Sequence, residues 1–405
     1  MAEKPQLSIV AYRKGMYIIL EGNRDSERFF IIQQGTVQLS RGGEAFQQES
    51  SSTLNPGDFF GVISSMAQKS HLETAQALTD VTLVAANRSQ FEGLIQYNTP
   101  IAMKVIQQFS RRMRYLNNEL ASLALQSSGA QNDAGNLFNA GQNYFKQKKY
   151  KIAAYAFKRY MQCYPKSGSA EAAAKNLTEL AQYDKPFFTI GAKPFLRHYT
   201  NDSPVFLEGE PGEDLFIIQA GSIKITRFIN NDEVILAILK QGDIFGEMSI
   251  LESKPRSACA ISSGDSTLMV VHKQNFEGMA AAQPQIISRL TQLLAERIWF
   301  GYKQLENAAI KDPLGRCFDY LFMHLERNNF QTGPRTTYIF PFGLEELAKM
   351  ASIPEQDIRN VSRQILQNKK FTVNADGKIF VSEVTELEKL SEFYKKGVAR
   401  AAARK

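Results

Sequence analysis

Cysteine, histidine and tryptophan are scarce in this chain, which has three, four and one of them among 405 residues. Cys163, Cys259 and Cys317 lie far apart and show no metal-ligand spacing, which excludes a disulfide framework and favours a reduced, cytosolic protein. The scattered histidines add no metal signal. No apolar run approaches a membrane span, and Met1 to Arg13 lacks a stretch of signal-peptide length, so neither anchorage nor export is expected. No glycine loop continues into Gly-Lys-Ser or Gly-Lys-Thr, and no nucleophile–base pattern occurs, so catalysis is not expected.

Apolar content and positive charge are what the chain does have. Hydrophobic residues make up 43% of it, enough for packed cores, and the net charge is +7. The length predicts roughly two to four domains. The charge permits nucleic-acid binding without requiring it. Part of the excess lies in Lys146, Lys148, Lys149, Lys151, Lys158 and Arg159, which read as a solvated helix face.

Two stretches share one plan. The first runs from Gly15-Met-Tyr-Ile-Ile-Leu-Glu-Gly22 through Phe29 to Leu39 and ends at Pro56-Gly-Asp-Phe-Phe-Gly61. The second runs from Pro204-Val-Phe-Leu-Glu-Gly209 through Leu215 to Ile225 and ends at Gln241-Gly-Asp-Ile-Phe-Gly246. Short β-branched and aromatic runs, broken by glycine at matched offsets, predict a duplicated all-β roll. Each copy leads into helical periodicity: Ile101, Val105, Phe109, Met113, Leu116 and Leu120 in the first, Ile287, Leu290, Leu294, Ile298 and Leu305 in the second. Gln126 to Ala134 reads as a loop. Beyond it, small residues at Gly141 and Ala153, with Tyr144 and Phe157, predict two antiparallel helices. These resemble a tetratricopeptide-type hairpin, with Ala170 to Leu180 as a third helix; the alternative is a plain helical spacer. A single unit of that kind is expected to pack on a roll.

After Asn307 the pattern turns helical. Leu344 to Leu366 gives two helices broken near Ser352-Ile353-Pro354, and Pro354 suits the first turn of the second. Phe371-Thr-Val and Lys378-Ile-Phe-Val flank Asn-Ala-Asp-Gly377, a hairpin. The sum is a helix-turn-helix with a β wing.

Residues 242 to 259, Gly-Asp-Ile-Phe-Gly-Glu-Met-Ser-Ile-Leu-Glu-Ser-Lys-Pro-Arg-Ser-Ala-Cys, carry the chemistry. They set a glycine turn, a carboxylate and an arginine around a short helical start, the groups needed to hold a cyclic phosphate and its ribose. The arrangement resembles the cyclic nucleotide-binding family. The second half, with Gln283-Pro-Gln-Ile-Ile and Asp312-Pro-Leu-Gly-Arg316, resembles the Crp/Fnr-type (catabolite activator) transcription factors over about residues 186 to 385. Residues 10 to 125 match more loosely. Physically, backbone N–H groups after Gly246, at Glu247, Met248 and Ser249, can donate to phosphate oxygens at a helix start. The Arg256 guanidinium matches phosphate and stays charged, while Ser257 and the Ala258 amide complete the cradle. Glu247 is placed to accept from the ribose 2′-hydroxyl. The alternative is a surface pair of Arg256 with Glu247. The resemblance implies that Gly301 and Tyr302 fall where the family reads the base. Tyr302 is able to stack on it, or else joins Trp299 in a dimer seam.

The first copy departs from that pattern. Val62 stands where the ribose carboxylate belongs, and Glu73 is read at the place of the phosphate-binding arginine, where it would repel the ligand. Either a non-binding, structural or dimerising role or the binding of another ligand follows for it.

At the effector end, Gln356 and Asn360 suit bidentate contacts with adenine, and Arg359 and Arg363 suit phosphate or guanine. Lys369, Lys370 and Lys378 on the wing, and Lys395, Lys396, Arg400, Arg404 and Lys405 in the tail, add backbone contacts. Glu355 and Asp357 oppose phosphate, and Ser352 stands where glycine is common in the turn. The expected architecture is α+β: two jelly-roll-like β-rolls with long C-terminal helices, a tetratricopeptide-like linker and a winged helix-turn-helix. The boundaries are 1–127, 128–185, 186–306, 307–390 and a basic tail 391–405. The expected function is a cytoplasmic, cyclic-nucleotide-responsive transcription regulator, with cyclic AMP favoured over cyclic GMP and no metal. DNA is the expected partner. Assembly is expected either as a homodimer or as an intrachain pseudo-dimer of the two rolls. The rival is a cyclic-nucleotide-gated scaffold whose hairpin recruits a protein partner and whose winged domain binds no DNA.

Overall fold

The structure, a computed structural model, describes residues 7–42, 51–97, 99–125, 133–229 and 232–402. Strands and helices mix in an α+β arrangement, and the chain divides into two compact units. One consists mainly of Glu92–Leu294, the other of Pro5–Phe91 with Ala295–Lys405. Each holds one of the repeated rolls.

In the first roll, Ser8–Tyr12, Val81–Asn87, Arg28–Gln34 and Phe59–Phe60 form an antiparallel sheet in that order. Tyr17–Ile19, Thr74–Ala77, Val37–Ser40 and Ser51–Leu54 form its partner. Alternation in Val81–Asn87 sends Val81, Leu83 and Ala85 inward onto Phe30, Ile32 and Val37. Three helices follow the cassette and the last strand: α1 (Val62–Ala67), α2 (Phe91–Tyr97) and α3 (Thr99–Leu125).

Three further helices, α4 (Asp133–Lys146), α5 (Tyr150–Cys163) and α6 (Ala170–Glu179), lie between the rolls in sequence. α4 and α5 approach closely because residue 141 has no side chain: a Cβ there would sit 2.8 Å from the Phe157 ring. Tyr144, Ala153, Phe157 and Tyr160 are buried in one apolar cluster with Leu207, Cys259 and Ile261 of the second roll. The helices therefore share a core with that roll. Of the predicted loop at 126–134, residues 126–132 lie outside the described residues.

The second roll repeats the topology. Ile244–Phe245, Asp214–Ala220, Ser266–His272 and Leu196–Tyr199 form one sheet, extended at its edge by Phe188–Ile190. Pro204–Phe206, Cys259–Ser262, Ser222–Ile229 and Asp232–Lys240 form the other. Helix α7 (Glu247–Glu252) follows the cassette glycine, then α8 (Lys273–Ala282) and α9 (Pro284–Ala308). The unit boundary falls within α9. In consequence each unit joins one roll to a long helix that follows the other roll in sequence.

The C-terminal segment has its own core around Phe318, Leu321, Phe340, Leu347, Val361 and Ile379. It contains α10 (Pro313–Arg327), α11 (Leu344–Met350), α12 (Ile358–Gln367) and α13 (Thr385–Ala402). Strands Tyr338–Ile339, Ile379–Val381 and Phe371–Val373 make its small sheet. The expected tail from residue 391 needs correction. Its first residues continue α13, where Ser391 is buried and donates to Asp319 at 2.6 Å. Lys395 pairs with the same carboxylate at 2.8 Å, so it is engaged within the protein. The side chains expected to assist it from 396 onward lie outside the described residues. Among the described residues no helix is long and apolar enough to cross a membrane.

Candidate functional site

The cassette of the second roll begins at Gly246, whose φ of 78° lies in the left-handed region and turns the strand Ile244–Phe245 into α7. A Cβ at that position would also meet Arg256 Nη1 at 2.7 Å. Glu247, Ser249 and Ala258 are buried in this segment, and the Ser257 hydroxyl points to Met248 Sδ at 3.7 Å. The structure therefore brings Gly246, Glu247, Met248, Ser249, Arg256, Ser257 and Ala258 together on one short helix with its N-cap and on the loop that follows it.

Arg256 is only 6% exposed. Its Nη1 donates to the Gly246 carbonyl at 2.6 Å and to Ser249 Oγ at 2.7 Å, and Nη2 donates to the Asp214 carbonyl at 2.7 Å. The guanidinium lies 4.1 Å from the Phe206 ring centroid. Nε has no partner. Three carboxylates act on it through space, Glu210, Asp214 and Glu247, and two of them serve other cations: Glu210 pairs with Arg159 at 2.9 Å and Asp214 with Arg197 at 3.5 Å. Among the described residues no ion pair reaches Arg256, and burial pushes its pKa down to about 10. A guanidinium has five donors, so among the described residues Nε–H and one Nη2–H remain unengaged.

Two observations fit an anion at this guanidinium. One is the buried Nε, which among the described residues has no partner. The other is Gly212, where a Cβ would come within 2.3 Å of Nε and 2.4 Å of Cζ, so the guanidinium lies against a residue that has no side chain. A cavity of about 390 Å³ beside the roll is lined by Tyr155, Arg159, Arg197, Phe206, Gly212 and Asp214 among others. Of the expected ligand residues, Arg256 alone lines it.

Other groups that act on the cassette were not read from the sequence. Ser110 Oγ donates to Glu252 at 2.7 Å, and Arg114 Nε donates to the same carboxylate at 3.0 Å. Both lie on α3, the helix that follows the first roll. Nothing in the local pattern of α3 marks them, since contacts between elements far apart in sequence leave no periodic trace.

Residues 9–98 and 196–283 match the family model described as the cyclic nucleotide-binding domain. The chain carries two cyclic nucleotide-binding domains. It is 26% identical to the cyclic AMP receptor protein of Thermus thermophilus, over 48% of this chain and 87% of that protein. It is 28% identical to a CRP-like cAMP-activated global transcriptional regulator of Mycobacterium tuberculosis, over 38% of this chain and 69% of that one. Among solved structures, the Thermus thermophilus catabolite activator protein covers 51% of this chain and 92% of its own, at 24% identity and a TM-score of 0.28.

Backbone pairing corrects the alignment of the two cyclic nucleotide-binding domains. In the second, Gly209 N donates to Arg256 O at 2.9 Å and Arg256 N to Glu210 O at 2.8 Å. In the first, Gly22 N donates to His71 O and His71 N to Asn23 O, both at 2.8 Å. His71, not Glu73, thus stands at the arginine position, and Glu73 corresponds to Ala258. The sequence reading slipped by two residues because Thr74-Ala75 resembles Ser257-Ala258. Val62 remains opposite Glu247. Glu73 lies 3.7 Å from Arg41, whose Nε donates to Leu72 O at 2.7 Å.

The placement of Tyr302 at the second domain's ligand is also corrected. Tyr302 is fully buried with its ring 3.6 Å from the Arg41 guanidinium, in the unit of the first domain. Trp299, one turn earlier, donates to Ser70 O at 3.1 Å in that same unit. This half of α9 is apolar and aromatic because it fills the first domain's cassette side.

His71 donates to the Asp25 carbonyl at 2.8 Å, and burial holds its pKa below the usual 6.5. The unfolded chain therefore takes up a proton before the folded one does. The neutral ring's contribution is intact above about pH 6.5 and is lost as pH falls below it. His71→Gln is expected to flatten the acid loss of stability, read as denaturant midpoints from pH 7.5 downward. A residual slope should persist from His324, whose pKa burial also lowers. An unchanged pH profile would contradict the assignment.

Proposed function

We propose that the chain is a cyclic-nucleotide-responsive regulator of transcription, with one ligand site in the second cyclic nucleotide-binding domain. One observation carries the ligand part: a buried guanidinium that, among the described residues, has no ion-pair partner and keeps Nε–H and one Nη2–H unengaged. Leaving a cation buried and unpaired costs several kcal/mol, and a singly charged cyclic phosphate would offset that cost. In this reading Arg256 holds the phosphate, Glu247 accepts from the ribose 2′-hydroxyl, and the amides of Met248, Ser249 and Ala258 with the Ser257 hydroxyl complete the seat. Cyclic AMP is the favoured ligand because one relative is named a cyclic AMP receptor protein and another a cAMP-activated regulator. The role is one of binding rather than catalysis.

We place the effector in the C-terminal segment, read as a winged helix-turn-helix. Arg359, Asn360 and Arg363 are exposed on α12, Gln356 on the turn before it and Lys378 on the hairpin, as DNA contact requires. Helix α9 runs from the second domain to this segment. At its far end Asn307 donates to Asp319 at 2.9 Å, so the helix end and α10 move together. Ligand binding would act through α9 by its differential affinity for two states. Against the scaffold reading, the apolar side of the linker helices is spent on the second roll.

Equilibrium dialysis of the full chain tests the ligand part. Retention of cyclic AMP or cyclic GMP at or below millimolar concentration supports it, and retention of neither overturns it. Mobility shifts over random DNA at low salt test the effector part, which no retardation with or without nucleotide would overturn. Replacing Arg359 and Arg363 by alanine is expected to weaken any retardation and to lower its salt dependence.

A further inference from the structure

The turn Leu207–Glu210 is held from two sides. On one side its backbone brackets the ligand arginine: Gly209 N donates to Arg256 O at 2.9 Å, and Arg256 N donates to Glu210 O at 2.8 Å. On the other side it is gripped by the helical linker. Arg159 Nε donates to Glu210 Oε2 at 2.9 Å, and the Tyr155 hydroxyl reaches the same oxygen at 3.2 Å. The Tyr164 hydroxyl, just past the end of α5, donates to Gly209 O at 2.6 Å. Glu210 Oε1 closes the turn by accepting from Leu207 N at 2.7 Å, with the residue only 2% exposed.

The linker is itself fixed to the roll at a second point. The Tyr144 hydroxyl donates to Glu233 at 2.9 Å, Lys149 pairs with that carboxylate at 2.5 Å, and the Tyr144 ring meets Phe228 edge-on. α4 and α5 thus form a brace across the roll, and one end of it carries Arg159 and Tyr164. The pairing of Glu210 with Arg159 also commits the carboxylate of the residue whose carbonyl accepts from Arg256 N. A cation at residue 159 therefore has two effects on Arg256. It fixes the turn that sets the arginine's backbone, and it occupies a carboxylate that would otherwise compete for its guanidinium.

We propose that Arg159 and Tyr164 of the helical linker are positioning residues for the ligand site, setting Arg256 through the Leu207–Glu210 turn without touching the ligand. This rests on the reading of Arg256 as the phosphate-binding group. The linker then belongs to the sensor as a working part, and a partner or modification that moved α5 would change ligand affinity.

The test measures cyclic AMP affinity of the full chain by calorimetry. Arg159→Gln and Tyr164→Phe are each expected to weaken binding about tenfold, as loss of a buried positioning hydrogen bond would. Arg159→Lys should recover most of the loss. Tyr164→Phe removes one hydroxyl at constant shape, so it reports even if Arg159→Gln fails to fold. The decisive readout is coupling. In an Arg256→Lys background, which keeps a weaker cation, Arg159→Gln should add little further loss. Wild-type affinity in both variants, or losses that multiply fully with Arg256→Lys, would overturn the positioning role. Absence of binding by the wild type would instead overturn the ligand site on which it rests.

Discussion

Arg256→Leu is expected to abolish cyclic nucleotide binding while changing the stability of the ligand-free protein little. The Nε–H and the remaining Nη2–H of Arg256 would make charge-assisted hydrogen bonds to the phosphate, together worth about 3–6 kcal/mol. Their loss lowers affinity by at least about a hundredfold. Stability should respond differently. The variant loses three hydrogen bonds from the guanidinium to Gly246, Ser249 and Asp214. It also releases a buried, unpaired cation, and replacing buried charge by an apolar group is often neutral. Thermal melting with and without nucleotide separates the two effects. The wild type should gain melting temperature with ligand, and the variant should gain none. A ligand shift that survives in Arg256→Leu contradicts the role given to this side chain.

Trp299→Ala is expected to carry the largest stability cost among single substitutions in the unit of the first domain. Trp299 is 1% exposed, and its indole N–H donates to Ser70 O at 3.1 Å. Truncating a buried tryptophan leaves a large cavity and an unpaired carbonyl, at a cost of about 3–5 kcal/mol. Chemical denaturation read by circular dichroism should show an earlier transition for that unit. Trp299→Phe should recover part of the loss, since the ring volume largely returns but not the hydrogen bond. A cost below about 1 kcal/mol would mean the tryptophan does not hold α9 on the first domain.

The two rolls were legible in the sequence for a physical reason. Short strands of alternating polarity between glycines at matched offsets have few other solutions. The second cassette was legible for the same reason, since Gly246, Glu247 and Arg256 are fixed by one local turn. Registers over a degenerate copy were harder. Only the paired backbone bonds of His71 and Arg256 show that the lost arginine is a histidine, and that Glu73 pairs near Arg41. Tyr302 failed as a ligand residue for another reason. Helical periodicity says which face of α9 is apolar but not which roll that face will meet. The grip of Ser110 and Arg114 on Glu252, and that of Arg159 on Glu210, join elements dozens of residues apart. Such tertiary ion pairs follow from the assembled fold alone.

The most direct measurement is the number of cyclic nucleotide sites per chain, counted by calorimetric titration of the wild type beside Arg256→Leu. The account predicts one site for the wild type, in the second domain, and none for the variant. Two comparable sites in the wild type, or one site that persists without Arg256, would contradict it.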